Sequence, residues 1–235
     1  LAPLLSGYHI VAMDFAGHGF SDWRAEGMRY HTLDHVDDVL AVANQLGWDR
    51  FALMGHSMGA GIGSLFAGAL PERVSRFVMI DGLGPYAGAA EEAPGILRDA
   101  LLEWQAYEPR EDRVFASREL AVTARQRGFT PLSASAAGIL CSRSLKAVEG
   151  GFVWTMDRRI QHHSSLRLTE PQVLAFLNAI AAPVLVIRAA QGFPADPVIF
   201  DARLAALQQL ELQVVPGGHH LHLDESPAEV AAVVQ

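Results

Sequence analysis

The stretch from Phe51 to Pro71 constrains this chain more than any other. Phe51-Ala52-Leu53-Met54 is an apolar run of strand length, Gly55-His56-Ser57-Met58-Gly59 follows, and Ala60 to Leu70 reads as a small-residue helix stopped by Pro71. The order is strand, sharp turn, helix, and G-x-S-x-G in that setting is the pattern of a nucleophile elbow. A serine on such a turn stands clear of the sheet on strained backbone, and side chains two residues before or after it are expected to clash with neighbouring elements. Gly55 and Gly59 occupy those places. The helix that starts there aims its N-terminus at whatever Ser57 attacks, so the Met58 N–H is a candidate donor to a developing oxyanion.

The flanking text fits a parallel, helix-covered sheet. His9 to Met13 reads as a buried strand running into a loop rich in glycine and aspartate, Asp14 to Asp22. Its acids are turn formers first. Thr32 to Leu46 carries Leu33, Val36, Leu40, Ala43 and Leu46 at helical spacing, with Thr32 as cap and Gly47 as stop. Arg76 to Ile80 is the next strand and ends at Asp81. The alternation then breaks. From Glu91 to about Ile180 the pattern is helical, with Phe152-Val153-Trp154 ambiguous, before Pro183 to Ile187 and Leu210 to Val215 resume as strands and Pro227 to Val234 as a helix. The predicted layout is a sheet domain, residues 1–85 and 182–235, interrupted by a helical cap, residues 86–181.

Bulk properties narrow the function. The chain is 50% hydrophobic and 19% charged, which suits one globular domain with an insertion. A net charge of −8 without a basic run argues against nucleic acid. No apolar stretch reaches membrane-spanning length, and no secretory signal is evident at Leu1 to Leu5. One cysteine, Cys141, allows no internal disulfide, reads as a small buried hydrophobe, and suits a cytoplasmic protein. The oligomeric state is not legible.

A serine needs a base. After the last strand comes Pro216-Gly217-Gly218-His219-His220-Leu221-His222-Leu223-Asp224-Glu225-Ser226-Pro227, a histidine loop followed by a helix. His220 is the favoured base and His219 the next; His222 reads as loop packing. Zinc ligation by these histidines is not expected, because adjacent histidines point apart and no carboxylate or cysteine cluster accompanies them.

With these residues in view, the chain resembles the α/β-hydrolase superfamily, serine hydrolase-like branch, among lipase- and epoxide-hydrolase-like proteins. VAMDFAGHGFSD, GHSMG and PERVSRFVMIDGLGP carry the likeness in the first part, and FVWTMDRR, LTEPQVLAFLNAIAAPVLVI and PGGHHLHLDESP continue it to the C-terminus. The resemblance implies an α/β-hydrolase fold: a mostly parallel sheet under helices, a helical cap inserted after the family's sixth strand, and the first strands missing from this sequence. The family pattern Pro-Gly-x-Gly-His, laid from Pro216, Glu225 and Pro227, implies His220 as base. The family's usual acid position falls near Gly192, so two carboxylates compete: Asp81, in the loop after the sixth strand, and Asp196, beyond the seventh. The family's His-Gly loop, which supplies a second oxyanion donor, has no counterpart here. Its third strand, which lies between the fourth and fifth, is also absent. Either the fourth strand pairs directly with the fifth or a slot stands open.

The expected function is hydrolysis of a carboxylic ester or related acyl substrate, with Ser57 as nucleophile, His220 as base, Asp81 or Asp196 as the orienting acid and the Met58 N–H as oxyanion donor. No metal or organic cofactor is expected, and the partner is a small-molecule acyl ester. Trp104, Tyr107, Phe152 and Trp154 are candidate pocket walls or ordinary cap packing. The competing expectation is a fragment, or a non-catalytic binding protein, that keeps the fold.

Overall fold

The computed structural model describes residues 1–235. In chain order the elements are α1 (Asp34–Gln45), β1 (Phe51–His56), α2 (Met58–Ala69), β2 (Val74–Ile80), α3 (Ala93–Gln105), α4 (Arg118–Gln126) and α5 (Ala134–Ser144). β3 (Leu145–Val148), β4 (Gly151–Trp154), α6 (Glu170–Ala179), β5 (Val184–Gln191), α7 (Pro197–Ala206), β6 (Leu210–Gly218) and α8 (Pro227–Val234) complete the chain. The main sheet has the order β1-β2-β5-β6, and all its strands are parallel.

The apolar runs at β2 and β5 are explained by burial on both faces. Phe77, Met79, Val184 and Val186 enter one core with Phe66 of α2 and Val173 and Leu177 of α6. Their alternates Val78, Ile80, Leu185 and Ile187 enter a second core with Val230, Ala231 and Val234 of α8. A period of two along each strand thus feeds two layers of helices. α6 lies within the segment 86–181 yet packs in the sheet's own core.

Two local expectations are corrected and one ambiguity is resolved. Residues 9–13, expected as a buried strand, form no ladder, and most are exposed. β1 pairs only with β2, so its other edge is unpaired and the slot beside it is open; a segment with no neighbouring strand to bond cannot be a strand. Thr32 does not cap α1. The helix starts two residues later, and the Asp34 carboxylate instead accepts the His31 N–H at 3.1 Å. The ambiguous Phe152-Val153-Trp154 is strand: β3 and β4 form an antiparallel hairpin turning at Gly150, whose φ of 81° suits glycine. Phe152 and Trp154 pack against Phe115, Ala121, Cys141 and Leu145 in a satellite core, so these aromatics serve cap packing. Cys141 is fully buried there.

Asp157 ties the insertion to the loop before α1. Its side chain is 3% exposed and pairs with Arg159 at 2.7 Å. Tyr30 Oη donates to the same carboxylate at 2.7 Å, and Arg159 reaches the carbonyls of Arg24, Ala25 and Met28. Burial raises the Asp157 carboxyl, but the Arg159 and Tyr30 hydrogen bonds outweigh it and the pKa is lowered from 3.8. Such a group contributes stability that is present above its unfolded pKa and lost as pH falls through the lowered folded one. Asp157→Ala, which strands the Arg159 charge, is expected to cost about 3–5 kcal/mol in a urea titration at neutral pH. The gap to the wild type should narrow below about pH 4. An unchanged urea midpoint would show that the tie is not structural. No helix is long and apolar enough to cross a membrane.

Candidate active site

β1 ends at His56, and Ser57 makes the turn into α2. Its φ of 52° and ψ of −115° lie in the left-handed half of backbone space, a strained conformation for a residue with a Cβ. The Ser57 N–H donates to Ile80 O at 3.0 Å, which pins the turn to β2. A Cβ on Gly55 would stand 2.3 Å from the Gly59 main chain, so only glycine fits there. A Cβ on Gly59 would meet nothing within 4 Å, and the expectation that both glycines are sterically required is corrected. Met58 opens α2, and the first N–H groups of a helix have no acceptor within it.

His219, not His220, stands against the serine. Ser57 Oγ donates to His219 Nε2 at 2.9 Å, and His219 Nδ1 donates to Asp81 Oδ2 at 2.6 Å. Strand phase is the reason. β6 runs through Gly218, which pairs with Gln191 after an irregularity in the ladder, so the first residue beyond the strand is His219. Leu221 is fully buried and anchors the loop in the second core. His220 is thereby turned toward the insertion, where its Nε2 bonds Thr130 Oγ1 at 2.8 Å. Burial, then the neighbouring His219, pushes His220 down to about 4. The Gly218-His219 pair was the available signal; counting from Pro216 overshoots it by one residue.

Asp81 directly follows β2 with a φ of 41°, a second non-glycine residue in the left-handed region. Its carboxylate accepts the Ala189 N–H at 3.0 Å and the Phe193 N–H at 3.3 Å in addition to His219. Burial raises this carboxyl, but the hydrogen bond from His219 and the two amides more than offset it, and the net shift is downward. A Cβ at Gly192 would lie 2.4 Å from Asp81 Oδ1. The carboxylate from β2 therefore fills the space beside the position where the resemblance led one to look for an acid, and Gly192 leaves that space free. Asp196 does not meet His219. It caps α7, accepting the Val198 and Ile199 N–H groups at 2.8 and 3.3 Å.

A cavity of about 250 Å³ adjoins His219, lined by Phe129, Thr130, Pro131, Gln191, Gly192, Phe193, Pro194 and Gly218. Phe193 sits edge-on to His219 with ring centres 4.7 Å apart. Phe129 and Phe193 were not legible as wall residues, because they lie in loops without periodicity. Trp104 and Tyr107 stack on one another beside His162 and do not line this cavity. Although four histidines gather at the site, no group of three histidine, cysteine or carboxylate side chains is arranged to hold a metal ion.

A parallel sheet under helices, with a serine on a strained strand-to-helix turn, defines an α/β hydrolase. The model of the α/β hydrolase fold matches residues 1–226, and the chain belongs to that family, in its serine hydrolase-like branch. A serine hydrolase-like protein of Danio rerio is 30% identical over 246 residues, covering 100% of this chain and 74% of that protein. One of Dictyostelium discoideum is 30% identical over 243 residues, covering 97% and 67%. Among solved structures, a hypothetical protein of Pseudomonas aeruginosa PAO1 superposes with a TM-score of 0.93 at 48% identity, covering 100% of this chain and 83% of that one. Family and relatives together support a hydrolase.

Proposed function

We propose that this chain is a serine hydrolase that cleaves a carboxylic ester or related acyl compound through an acyl-enzyme. The observation that carries the reading is the unbroken hydrogen-bonded line Ser57–His219–Asp81, with distances of 2.9 and 2.6 Å. In this reading Ser57 Oγ attacks the carbonyl carbon as His219 Nε2 takes its proton. Asp81 holds the Nδ1–H tautomer and stabilises the imidazolium that forms. The Met58 N–H faces the developing oxyanion. His219 then returns the proton to the leaving oxygen, and water, activated by the same imidazole, releases the acid and frees Ser57. The lining of the 250 Å³ cavity, which holds Phe129 and Phe193 and no acidic, lysine or arginine side chain, supports a small substrate without a charged group on that side.

Fluorophosphonate labelling together with turnover of short p-nitrophenyl esters tests this. Wild-type protein is expected to label at Ser57 and hydrolyse, and Ser57→Ala to do neither. Failure of the wild type to label would favour the non-catalytic binding protein, since labelling requires an activated serine and not merely a pocket.

A further inference from the structure

The nucleophile and the base come from strands that are not neighbours. In the order β1-β2-β5-β6, Ser57 follows β1 and His219 follows β6, three strand spacings or about 14 Å apart at the sheet. The histidine loop must therefore lean across β5 and β2 to bring its imidazole to the serine. On its own side the loop is held by Gln191 Oε1, which accepts the Gly217 N–H at 3.0 Å, and by Glu225 Oε2, which accepts the Gly218 N–H at 2.9 Å. On the far side one hydrogen bond ties its main chain to β1: His56 Nε2 donates to the His219 carbonyl oxygen at 2.7 Å.

We infer that His56, the residue before the nucleophile, is a positioning residue that fixes the main chain of His219 over Ser57. The inference rests on the proposed hydrolase reading of the same site. His56 is well placed for the task. It is the last residue of β1, and its ring packs among those of His219, His220 and His222 at centre distances of 4.5, 5.1 and 4.3 Å. A carbonyl can only accept, so His56 must present Nε2–H, and as a neutral ring it leaves Nδ1 bare. Burial, then the neighbouring His222, holds His56 down at about 3. It therefore stays neutral when His219 takes the serine's proton, and places no second positive charge beside the new imidazolium. Because the nucleophile and its neighbour are consecutive in the chain, Ser57 meets the His219 side chain while His56 meets the His219 main chain. Two adjacent residues of one strand end thus grip one residue of the opposite loop.

Two substitutions separate the hydrogen bond from packing. His56→Leu keeps bulk and removes the donor; His56→Gln keeps an N–H donor on a side chain of comparable reach. His56→Leu is expected to lower kcat for a p-nitrophenyl ester about 10–100-fold with KM within about twofold, because misplacement on the order of 1 Å is costly at the chemical step. Fluorophosphonate labelling of Ser57 should slow in parallel, and His56→Gln should recover kcat to within about threefold of wild type. Unchanged kcat in His56→Leu, or equal losses in both variants, would overturn the inference. Should His56→Leu fail to fold, nitrogen NMR of wild-type protein labelled at histidine decides it. A hydrogen-bonded Nε2–H and a bare Nδ1 on His56 support the grip, and the opposite tautomer overturns it. Failure of the hydrolase reading looks different: wild-type protein would not label at Ser57, or Ser57→Ala would hydrolyse as fast as wild type.

Discussion

Asp81→Asn is expected to lower kcat about 10⁴-fold with little change in KM, whereas Asp196→Asn leaves turnover and stability near wild type. The first change keeps the shape of the side chain beside His219 but removes the charge. An amide nitrogen facing Nδ1 would also drive the proton to Nε2, leaving Ser57 with no acceptor. The second replaces one good N-cap by another, since the Asp196 carboxylate is occupied by the first N–H groups of α7. The histidines divide the same way. His219→Ala removes the proposed base and should bring kcat down by about 10⁶, while His220→Ala loses the link to Thr130 and ring contacts with His56 and His219 but no hydrogen bond to Ser57. Ester turnover, with circular dichroism to verify folding, reads all four variants. If Asp196→Asn or His220→Ala proved the inactive member of its pair, the assignment of the site would be wrong.

Gly55→Ala is expected to destabilise the protein by about 3 kcal/mol, the upper end of the overpacking range, and to abolish labelling of Ser57, because the new methyl overlaps main chain and not a pliable side chain. It would stand 2.3 Å from the carbonyl group of Gly59, in the first turn of α2. Relief requires moving α2 away from β1, and that movement carries the Met58 N–H and Ser57 with it. Gly59→Ala should behave oppositely. Its methyl meets nothing within 4 Å, and alanine in place of glycine within a helix is favourable by roughly 0.5–1 kcal/mol. Urea midpoints of the two variants measure the contrast. Equal destabilisation would mean that the two glycines of the motif are equivalent after all.

His56 shows how a motif can hide a second message. In G-x-S-x-G the first x is free by definition, so a pattern reader passes over it. Only the path of the loop across β5 and β2 reveals that this position has a partner, the His219 carbonyl. The same holds for Gly192. In the sequence it looks like the loss of an acid; in space it is the gap beside the Asp81 carboxylate.

Much was legible before any coordinates. The elbow, the apolar runs of β2 and β5, the stop of α1 at Gly47 and the Pro-started α8 each follow from local rules: strand period, helix spacing and the conformations open to glycine and proline. Those rules act between residues a few positions apart, so the sequence by itself determined the fold class and Ser57. What it left undecided involved residues far apart in the chain. Asp81 prevailed over Asp196 because β2 lies beside β5, and that adjacency, not sequence distance, brings a carboxylate to His219. His219 prevailed over His220 because the β6 ladder continues to Gly218 and Leu221 must reach the core. Residues 9–13 carry strand text but form none, because a strand exists only where a neighbour accepts its hydrogen bonds. Pairing, register and burial are properties of the assembled sheet, and they alone selected which imidazole meets the serine and which carboxylate meets that imidazole.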